Sequence, residues 1–450
     1  MRPDLAVCYG QERLPRYTSY PTAPHFSAEI GPDIYAEWLK TIPQHASTSL
    51  YMHVPFCRSM CWYCGCHTSV VRRDEPVARY ASALRCEIDL VSRQVERRIQ
   101  VDHIHFGGGT PTIMTPETFA DLIGSIRHSF LVTPSAEIAV EIDPRTLSDA
   151  MIDALAYGGV NRVSLGVQSC DPIVQRAIHR VQSFEETAAA TANLRRAGIH
   201  GVNFDLIYGL PHQTVASCLD TVRQCIELRP DRFSVFGYAH VPTFKKHQRK
   251  INEAWLPDSL ERHEQSYAIT NALKEAGYSQ IGLDHFALPD DAMAAALRNG
   301  ALRRNFQGYT TDDSNILLGF GASAIGRMPQ GYVQNEVNTH AYLESIANGK
   351  LATVKGYALT DDDRLRAEII EHVMCDFGVD LDPICARHRS APETILNASP
   401  RLKKLISDGV VQREGTTFNL AQDSRFLVRS LAAAFDAHLD GSKQLHSRAV

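Results

Sequence analysis

The stretch CRSMCWYCGC, residues 57–66, decides the fold. It directly follows an apolar run at residues 50–54 that predicts a β-strand, and its Arg, Ser and Gly residues are typical of a loop. Three of its cysteines, Cys57, Cys61 and Cys64, stand at CxxxCxxC spacing. Three thiol ligands are therefore expected side by side on one loop at the end of a strand.

Three thiolates from one loop can bind three irons of a 4Fe–4S cluster and leave the fourth iron without a protein ligand. Structural iron–sulfur sites use four thiolates, so an open iron indicates a site that binds a small molecule. S-adenosylmethionine could chelate that iron through its amino and carboxylate groups. One electron from the cluster would then break its S–C5′ bond and release a 5′-deoxyadenosyl radical.

Two simpler interpretations compete with the iron–sulfur site. A structural zinc site usually pairs two cysteine knuckles separated by a dozen or more residues, whereas all four cysteines of this loop lie within ten positions. A set of buried, inert thiols is the second alternative. Arg58, Ser59 and Gly65 argue against it, because they are residues of a loop and not of a core.

Composition sets limits on the function. The chain has 450 residues, of which 44% are hydrophobic and 22% charged, as in ordinary soluble globular proteins. A net charge of −5 and a pI near 6.4 give no indication of nucleic-acid binding. We expect a cytoplasmic protein without a membrane span, since no apolar run reaches roughly 18 residues and residues 1–17 lack an apolar leader. Eleven cysteines, an odd number, do not indicate a disulfide framework.

Strands and helices alternate regularly from residue 50 onward, which predicts an α/β fold with a parallel sheet. The six predicted strands are at residues 50–54, 104–106, 137–142, 162–167, 201–208 and 233–238. The predicted helices between them are at residues 75–98, 116–130, 147–157, 171–178, 184–197 and 215–228. We interpret this pattern as an incomplete TIM-type (β/α)6 barrel, in which active-site residues follow the carboxyl ends of the strands.

Three domains are predicted. Residues 1–46 form an N-terminal arm whose aromatic and proline residues, at 16–26, predict an extended segment lying over another surface. From these residues alone a packed arm is favoured. Residues 47–355 hold the barrel and its extension, and residues 356–450 form a mainly helical C-terminal domain with a small β-wing at 410–420. A cap on the barrel is favoured over a DNA-binding role for this last domain, because it offers few phosphate-binding cations.

The chain resembles the oxygen-independent coproporphyrinogen III oxidases, which are radical S-adenosylmethionine enzymes of haem biosynthesis. The matching stretches lie between residues 16 and 326 and read RYTSYPTAPHF, YMHVPFCRSMCWYCGC, HFGGGTPT, EIDPRT, SLGVQS, NFDLIYGLP, FSVFGYAHVPT, NFQGYTT and GFGASAIG. This coverage is far more specific than the cysteine spacing alone.

The resemblance implies a reaction and its partners. Two propionate side chains of coproporphyrinogen III would lose CO₂ and become vinyl groups, giving protoporphyrinogen IX without oxygen. A low-potential donor such as flavodoxin or ferredoxin would supply the electron. Apart from the resemblance, nothing in the sequence suggests an extensive oligomer interface, so a monomer is the default expectation. The radical must be shielded from solvent, and we expect a flexible N-terminal arm with Tyr17 and Tyr20 to contribute to that closure.

The resemblance also implies roles for individual residues. Cys57, Cys61 and Cys64 would bind the 4Fe–4S cluster. Tyr51, Gly108, Glu141 and Ile325 match positions that hold the cluster-bound S-adenosylmethionine. A second S-adenosylmethionine is expected, and the positions that match its contacts are Tyr63, Gly109, Thr110, Gln168, Arg180, Asp205 and Ala239. Phe306 and Gln307 match residues that line the active site.

Two relatives of this family remain as alternatives. A haem chaperone on the same barrel would bind haem with little decarboxylation, and a haem-modifying radical methyltransferase would transfer a methyl group. Cys66 favours the oxidase, because the chaperones commonly carry an aromatic residue at that position. The RYTSYPT segment favours it as well, since the chaperones lack it. We do not assign Cys66 as a cluster ligand, because three thiolates suffice.

Overall fold

A computed structural model describes residues 3–10, 12–43, 45–397 and 399–439 of the chain. Its central feature is a twelve-stranded sheet. The strands are β1 Thr48–Val54, β2 Gln100–Gly108, β3 Leu131–Ile142, β4 Arg162–Gln168, β5 Gly201–Tyr208, β6 Arg232–Gly237, β7 Ser279–Ile281, β8 His285–Ala287, β9 Ile316–Phe320, β10 Ile325–Met328, β11 Gly331–Asn335 and β12 Thr353–Ala358. Across the sheet they run in the order β12-β11-β10-β9-β1-β2-β3-β4-β5-β6-β8-β7.

The middle of the sheet is parallel, and its two ends are antiparallel. Strands β1 to β6 pair in sequence order, all parallel, as the strand–helix alternation predicts. β8 and β7 continue the sheet antiparallel beyond β6, and β10 to β12 do so beyond β9. The first and last strands do not pair, so the sheet stays open. The predicted α/β fold with an incomplete barrel is confirmed.

One parallel strand, β9, was not predicted from the sequence. β9 pairs parallel with β1 on the side away from β2, so that the parallel part of the sheet has seven strands. The glycine-rich stretch that follows it concealed the short apolar run ILLGF in the sequence. β2 is also longer than predicted, and Gly107 and Gly108 belong to the strand and not to the loop after it.

Helices cover the sheet and build the C-terminal part of the chain. They are α1 Pro3–Tyr9, α2 Pro32–Lys40, α3 Glu75–Val95, α4 Pro116–Ser129, α5 Asp149–Tyr157, α6 Pro172–Ala177, α7 Phe184–Arg196, α8 Val215–Glu227, α9 Ser259–Glu275, α10 Ala292–Arg298, α11 Thr339–Ala347, α12 Asp361–Asp376, α13 Leu381–Arg387, α14 Pro392–Asn397, α15 Pro400–Ser407 and α16 Val428–Ala433. Capping boxes begin α7 at Ser183, α8 at Thr214 and α9 at Asp258, which satisfies amide groups that the helix leaves unpaired. None of the described helices has the length and apolar content needed to cross a membrane.

The main hydrophobic core lies between the sheet and its helices. Phe106 of β2, Phe204 of β5 and Phe320 of β9 are fully buried there, together with Leu84 of α3 and Leu194 of α7. Complete burial of one such side chain contributes about 1.5–3 kcal/mol to stability. This core holds the strands rigidly, so the loops at their carboxyl ends have a fixed support.

The two ends of the chain share a second hydrophobic core. Tyr17 and Tyr20 are buried against residues of α12 and α16, together with Leu14. The guanidinium group of Arg429 donates hydrogen bonds to the carbonyl oxygens of Leu14 and Pro15. The two tyrosines thus pack into a core and do not project from a flexible arm, which corrects that expectation.

The predicted domain limits, 1–46, 47–355 and 356–450, stay a prediction. Residues 1, 2, 11, 44, 398 and 440–450 within them lie outside the described residues. The small β-wing is present as the antiparallel pair Val411–Glu414 and Thr417–Leu420.

Glu87 of α3 makes stability depend on pH. Burial raises the pKa of its carboxyl to about 7, although Gly321, Asn335 and Tyr342 donate hydrogen bonds to it. Because the pKa in the unfolded chain is near 4.5, the folded state holds the proton more tightly between these values. We therefore expect this group to lower the free energy of unfolding by ~2 kcal/mol as the pH rises from about 5.5 to 8.

The variant Glu87→Gln should lack this part of the pH dependence of the free energy of unfolding, because the amide does not titrate. Urea unfolding of both proteins at the two pH values measures the difference. An identical pH dependence in wild type and variant would contradict the assignment.

Candidate functional site

The cysteine loop lies at the carboxyl end of β1 and is held from two sides. A short strand, Phe56–Cys57, pairs parallel with Ser69–Val70 at the far end of the loop. From the other side, the fully buried Gln248 donates through its side-chain amide to the carbonyl oxygens of Tyr63 and Ala239, at 3.0 and 3.2 Å. Its Oε1 accepts from the amide of Val241 at 2.6 Å. Gln248 therefore joins the cysteine loop to the end of β6.

Hydrogen-bond donors surround the three thiols. The Sγ of Cys57 lies 3.4 Å from the Thr68 hydroxyl and 3.5 Å from that of Thr110. The Sγ of Cys61 accepts from Arg145 and Arg180 at 3.7 Å each. The backbone amide of Cys66 donates to the Sγ of Cys64 at 3.4 Å. Donors of this kind favour the thiolate, which is the form that binds metal.

The pKa values of two thiols differ because their surroundings differ. A hydrogen bond from Cys66 lowers the pKa of the Cys64 thiol to about 7. Burial raises the pKa of the Cys57 thiol, and the Thr110 and Thr68 hydroxyls only partly oppose it. All eleven cysteines are free thiols, so no disulfide competes with metal binding.

The loop fits a cubane cluster better than a single metal ion. Among the described residues, no three Cys, His, Asp or Glu side chains are grouped closely enough to bind one ion. In a 4Fe–4S cluster each thiolate binds a different iron, so the three sulfur atoms need not converge on a single point. Three free thiols on one loop, with hydrogen-bond donors at each, suit that cluster.

Glu141 closes the end of β3 against the glycines of β2. Its Oε2 accepts from the Gly108 amide at 3.1 Å, and its Oε1 lies 3.2 Å from Nε2 of His105. A Cβ at Gly107 would stand 2.7 Å from Oε1, so this close approach requires glycine. Burial alone would raise the pKa of the Glu141 carboxyl, but hydrogen bonds from His105 and Gly108 outweigh it and lower the pKa. The side chain is thus a carboxylate at neutral pH.

Tyr51 of β1 is oriented by a neutral histidine. Burial lowers the pKa of His53 to about 4, so its Nε2–H donates to the His67 carbonyl at 3.0 Å and its Nδ1 accepts from the Tyr51 hydroxyl at 2.9 Å. Gly108, at φ 113°, lies so close to the His53 ring that a Cβ would stand 2.6 Å from it. Ile325 begins β10, close to the glycine of β9 that pairs with Tyr51.

A buried ion pair stands beside Cys61. Asp143, just after β3, binds Arg145 at 2.6 Å and Arg180 at 3.3 Å. Arg180, only 6% exposed, also donates to the Gly166 carbonyl at 2.6 Å. Gln168 ends β4 nearby with φ 67°, and its buried Oε1 has no hydrogen-bond partner among the described residues. A buried acceptor without a partner is unfavourable, so this oxygen is available to a ligand.

Asp205 lies on β5 with its carboxyl hydrogen-bonded by two neighbours. Ser164 donates to Oδ2 at 2.7 Å and Asn203 to Oδ1 at 2.8 Å. Burial, together with the negative charge of Glu141, raises the pKa of Asp205 to about 6. Glu141 therefore lies close enough for its charge to act on the Asp205 carboxyl.

A cavity of about 870 Å³ opens beyond β6. Ala239, Phe306 and Gln307 are among the residues that line it. The Phe306 ring packs edge-on against Tyr332, with 5.8 Å between ring centroids, and the Gln307 amide donates to Asn305. The cavity is large enough for an organic ligand of substantial size.

The sixteen residues named from the sequence therefore fall into two neighbouring groups. Phe306 and Gln307 line the cavity. Ala239 lines it as well, and Gln248 joins Ala239 to the cysteine loop. The other residues lie at or near the carboxyl ends of the parallel strands, with Ile325 one strand further along the sheet. Their roles stay predictions.

Sequence reasoning missed several supporting residues. His53, His105 and Arg145 stand inside or beside the quoted stretches, where their side chains could have been considered as partners of Tyr51, Glu141 and Cys61. Gln248 gave no signal, since it lies in an irregular basic segment. Arg16 and Arg304, which line the cavity, also went unnoticed.

Comparison with known proteins decides the family. Residues 51–225 match the Radical SAM superfamily. The oxygen-independent coproporphyrinogen III oxidase of Bradyrhizobium diazoefficiens is 69% identical over 450 residues, covering 100% of both chains. The chain belongs to the oxygen-independent coproporphyrinogen III oxidases. Within this family, coproporphyrinogen III oxidase, anaerobic 1, of Cereibacter sphaeroides is 42% identical over 426 residues, or 95% of this chain and 94% of its own.

A solved structure of the family agrees in fold as well. The coproporphyrinogen III oxidase HemN of Escherichia coli, described as a radical SAM enzyme, superposes with a TM-score of 0.89 at 36% identity. It covers 95% of this chain and 100% of its own. Membership therefore extends over the barrel, its extension and both terminal segments, and it implies a 4Fe–4S cluster and S-adenosylmethionine as cofactors.

Proposed function

We propose that this chain converts coproporphyrinogen III to protoporphyrinogen IX by oxygen-independent oxidative decarboxylation of two propionate side chains. The observation that carries the proposal is the loop of three free thiols, Cys57, Cys61 and Cys64, next to a cavity large enough for a tetrapyrrole. Family membership at 69% identity over the full length supports the same reaction. The enzyme is an oxidoreductase of haem biosynthesis.

The cofactors supply the radical, and the chain positions them. Cys57, Cys61 and Cys64 would hold the cluster, which would supply the electron for cleavage of S-adenosylmethionine and thereby the radical chemistry that removes a hydrogen atom from the propionate β-carbon. Loss of CO₂ and of one electron to an acceptor then leaves the vinyl group. The Glu141 carboxylate can bind the ammonium group of S-adenosylmethionine, with its orientation fixed by Gly108 and His105. Tyr51 and Ile325 border the same site.

A second S-adenosylmethionine is part of the proposal. The Gln168 Oε1, which is buried and has no partner in the part of the chain that the structure describes, supports a ligand beside Arg180 and Cys61. The Arg180 guanidinium can donate to a carboxylate of the ligand, although the Asp143 carboxylate already accepts from some of its N–H groups. Further contacts are proposed for Tyr63, Gly109, Thr110, Asp205 and Ala239. Phe306 and Gln307 would border the substrate, since both line the cavity.

An anaerobic assay of the reconstituted protein tests the reaction. It contains S-adenosylmethionine, a low-potential reductant, an electron acceptor and coproporphyrinogen III. We expect protoporphyrinogen IX, with one CO₂ and one 5′-deoxyadenosine released for each decarboxylation. Deoxyadenosine without that product would overturn the substrate assignment, and methylated products would favour a methyltransferase. Stable haem binding without turnover would favour a chaperone.

The electron donor is proposed to dock on a basic surface beside the cysteine loop. We call Lys246, Arg249 and Lys250 the basic strip, and all three side chains are exposed. The Lys250 ammonium group lies 5.5 Å from the centroid of the Trp62 ring, so the strip adjoins the loop. An acidic carrier such as flavodoxin or ferredoxin fits this charge, because complementary charges speed encounter. We further propose a monomer in the reducing cytoplasm, where free thiols persist.

Charge reversal of the basic strip should slow electron transfer from a docked protein donor and leave the decarboxylation itself unaffected. We expect the double variant Lys246→Glu, Arg249→Glu to lose about tenfold in turnover with reduced flavodoxin at low salt, and little with dithionite, which needs no docking. Lys350→Glu, an exposed lysine that follows α11, is the control. Equal losses with both reductants would argue against a docking surface.

A further inference from the structure

Five arginines border the cavity beyond β6: Arg13, Arg16, Arg262, Arg304 and Arg429. Three carboxylates line the same cavity, and one of them, Asp284, lies near enough to Arg304 and Arg16 for their charges to help lower its pKa. Glu253 binds His240 at 3.0 Å, Asp284 binds His285 at 2.8 Å, and Asp258 caps α9. The wall of the cavity therefore carries an excess of positive charge, which is unusual for a space that takes a largely apolar macrocycle.

Arg304 gives the clearest indication of a missing anion. It lies on the first strand, Arg303–Asn305, of a hairpin completed by Gly308–Thr310. Its Nη2 donates to the carbonyl oxygen of Arg16 at 3.2 Å, and its guanidinium stacks 4.4 Å from the centroid of the Tyr309 ring. Its Nε and Nη1 are buried and have no hydrogen-bond partner among the described residues. Two buried donors on one charged group cost free energy unless a ligand accepts from them.

Two further arginines stand close to Arg304. Arg16 comes from the N-terminal segment and Arg429 from α16, where it is 6% exposed. Burial, aided by the charges of Arg16 and Arg304, lowers the pKa of the Arg429 guanidinium to about 9. Three cations held this close repel one another, and an anion between them would relieve the repulsion. We call Arg16, Arg304 and Arg429 the arginine cluster.

We infer that the arginine cluster binds propionate carboxylates of the substrate, namely those that the product retains. This inference rests on the proposed function, because coproporphyrinogen carries four propionates and only two react. Nε and Nη1 of Arg304, which have no partner among the described residues, point to different edges of the planar guanidinium group, and each can donate a charge-assisted hydrogen bond to a carboxylate oxygen.

Retained propionates are favoured over reacting ones for an energetic reason. A reacting carboxylate loses its negative charge as CO₂ departs, so a strong ion pair would stabilise the ground state more than the transition state. A retained carboxylate keeps its charge throughout, and its ion pair holds the macrocycle without cost to the reaction. The arginine cluster would thus fix the macrocycle at the end of the cavity formed by the N- and C-terminal segments. Ala239, which Gln248 joins to the cysteine loop, borders the end where the reaction would occur.

The test compares Arg304→Gln with Arg303→Gln, its neighbour on the same strand. Arg303 is exposed, pairs with Glu371 at 3.7 Å, and does not line the cavity. Binding of coproporphyrin III to the purified protein is measured by fluorescence quenching, with its tetramethyl ester as the uncharged probe. We expect Arg304→Gln to weaken binding of the acid by about tenfold to a hundredfold, with no change for the ester. Arg303→Gln should bind both as the wild type does.

Two further measurements separate a folding defect from a lost ion pair. Arg304→Gln should retain its iron content and its cleavage of S-adenosylmethionine without porphyrinogen, and its KM for coproporphyrinogen should rise more than its kcat falls. Arg304→Lys should recover part of the affinity, since it keeps the charge without the fork of donors. Unchanged affinity for the acid in Arg304→Gln, or equal losses for acid and ester, would overturn the inference. Failure of the wild type to decarboxylate would instead refute the proposed function, whatever the binding results.

Discussion

Replacing Cys61 by serine should abolish the reaction together with the cluster. Cys61 is the most buried thiol of the loop and accepts from both Arg145 and Arg180, which favour its thiolate. We expect the reconstituted Cys61→Ser protein to lack the visible absorption of a 4Fe–4S cluster. Turnover should fall by far more than the ~10–100-fold that loss of an outer partner of a metal ligand costs.

Cys66→Ser is the matched control on the same loop. Cys66 donates to the Cys64 sulfur through its backbone amide, which serine retains, and through its side chain, for which the serine hydroxyl can substitute. We therefore expect a full iron content and turnover within a few-fold of wild type. A Cys66→Ser protein that fails to assemble its cluster would show that Cys66 is a ligand and would contradict the three-cysteine assignment.

Replacing Glu141 by glutamine should disable use of S-adenosylmethionine and leave the cluster intact. The glutamine oxygen can still accept from the Gly108 amide, so the local structure is kept while the negative charge is lost. Removal of one preorganised electrostatic partner typically costs 10²–10³ in rate. We expect a loss of about that size in 5′-deoxyadenosine formation, with a raised KM for S-adenosylmethionine and an unchanged iron content.

Glu137→Gln offers a control on the same strand and the same face. Glu137 lies four residues before Glu141 on β3 and pairs with Arg162 at 2.9 Å. Its replacement should lower thermal stability through the lost ion pair and leave the KM for S-adenosylmethionine unchanged. If both variants raised that KM equally, the effect would belong to the sheet and not to the Glu141 carboxylate.

The sequence allowed prediction of those features that depend on local spacing. The spacing of three cysteines within ten consecutive residues predicted the cysteine loop. The alternation of apolar runs with helical segments predicted the six parallel strands. Residues at the strand ends, such as Glu141 and Gln168, followed from the rule that active sites form there. Family resemblance then supplied their roles, which spacing alone does not give.

Features that depend on contacts between distant segments could not be predicted. β9 joins β1 across more than 260 residues, and nothing near Ile316 in the sequence specifies that partner. Gln248 contacts Tyr63 over a separation of 185 residues, and Arg304 contacts Arg16 over 288. Only the folded chain brings such residues together, and both the support of the cysteine loop and the arginine cluster depend on them.

The contact of Arg429 with Leu14 and Pro15 has a consequence for biosynthesis on the ribosome. The cysteine loop and all strands from β1 to β6 have been synthesised by residue 237, whereas the wall of the cavity needs a side chain from residue 429. A growing chain can thus have six of the seven parallel strands early, but the wall of its cavity is incomplete until residue 429 has been synthesised. Contacts over such separations also close slowly, because loop-closure entropy must be overcome first. Premature termination before α16 would therefore yield a chain that carries the cysteine loop but lacks the Arg429 side chain of the cavity wall.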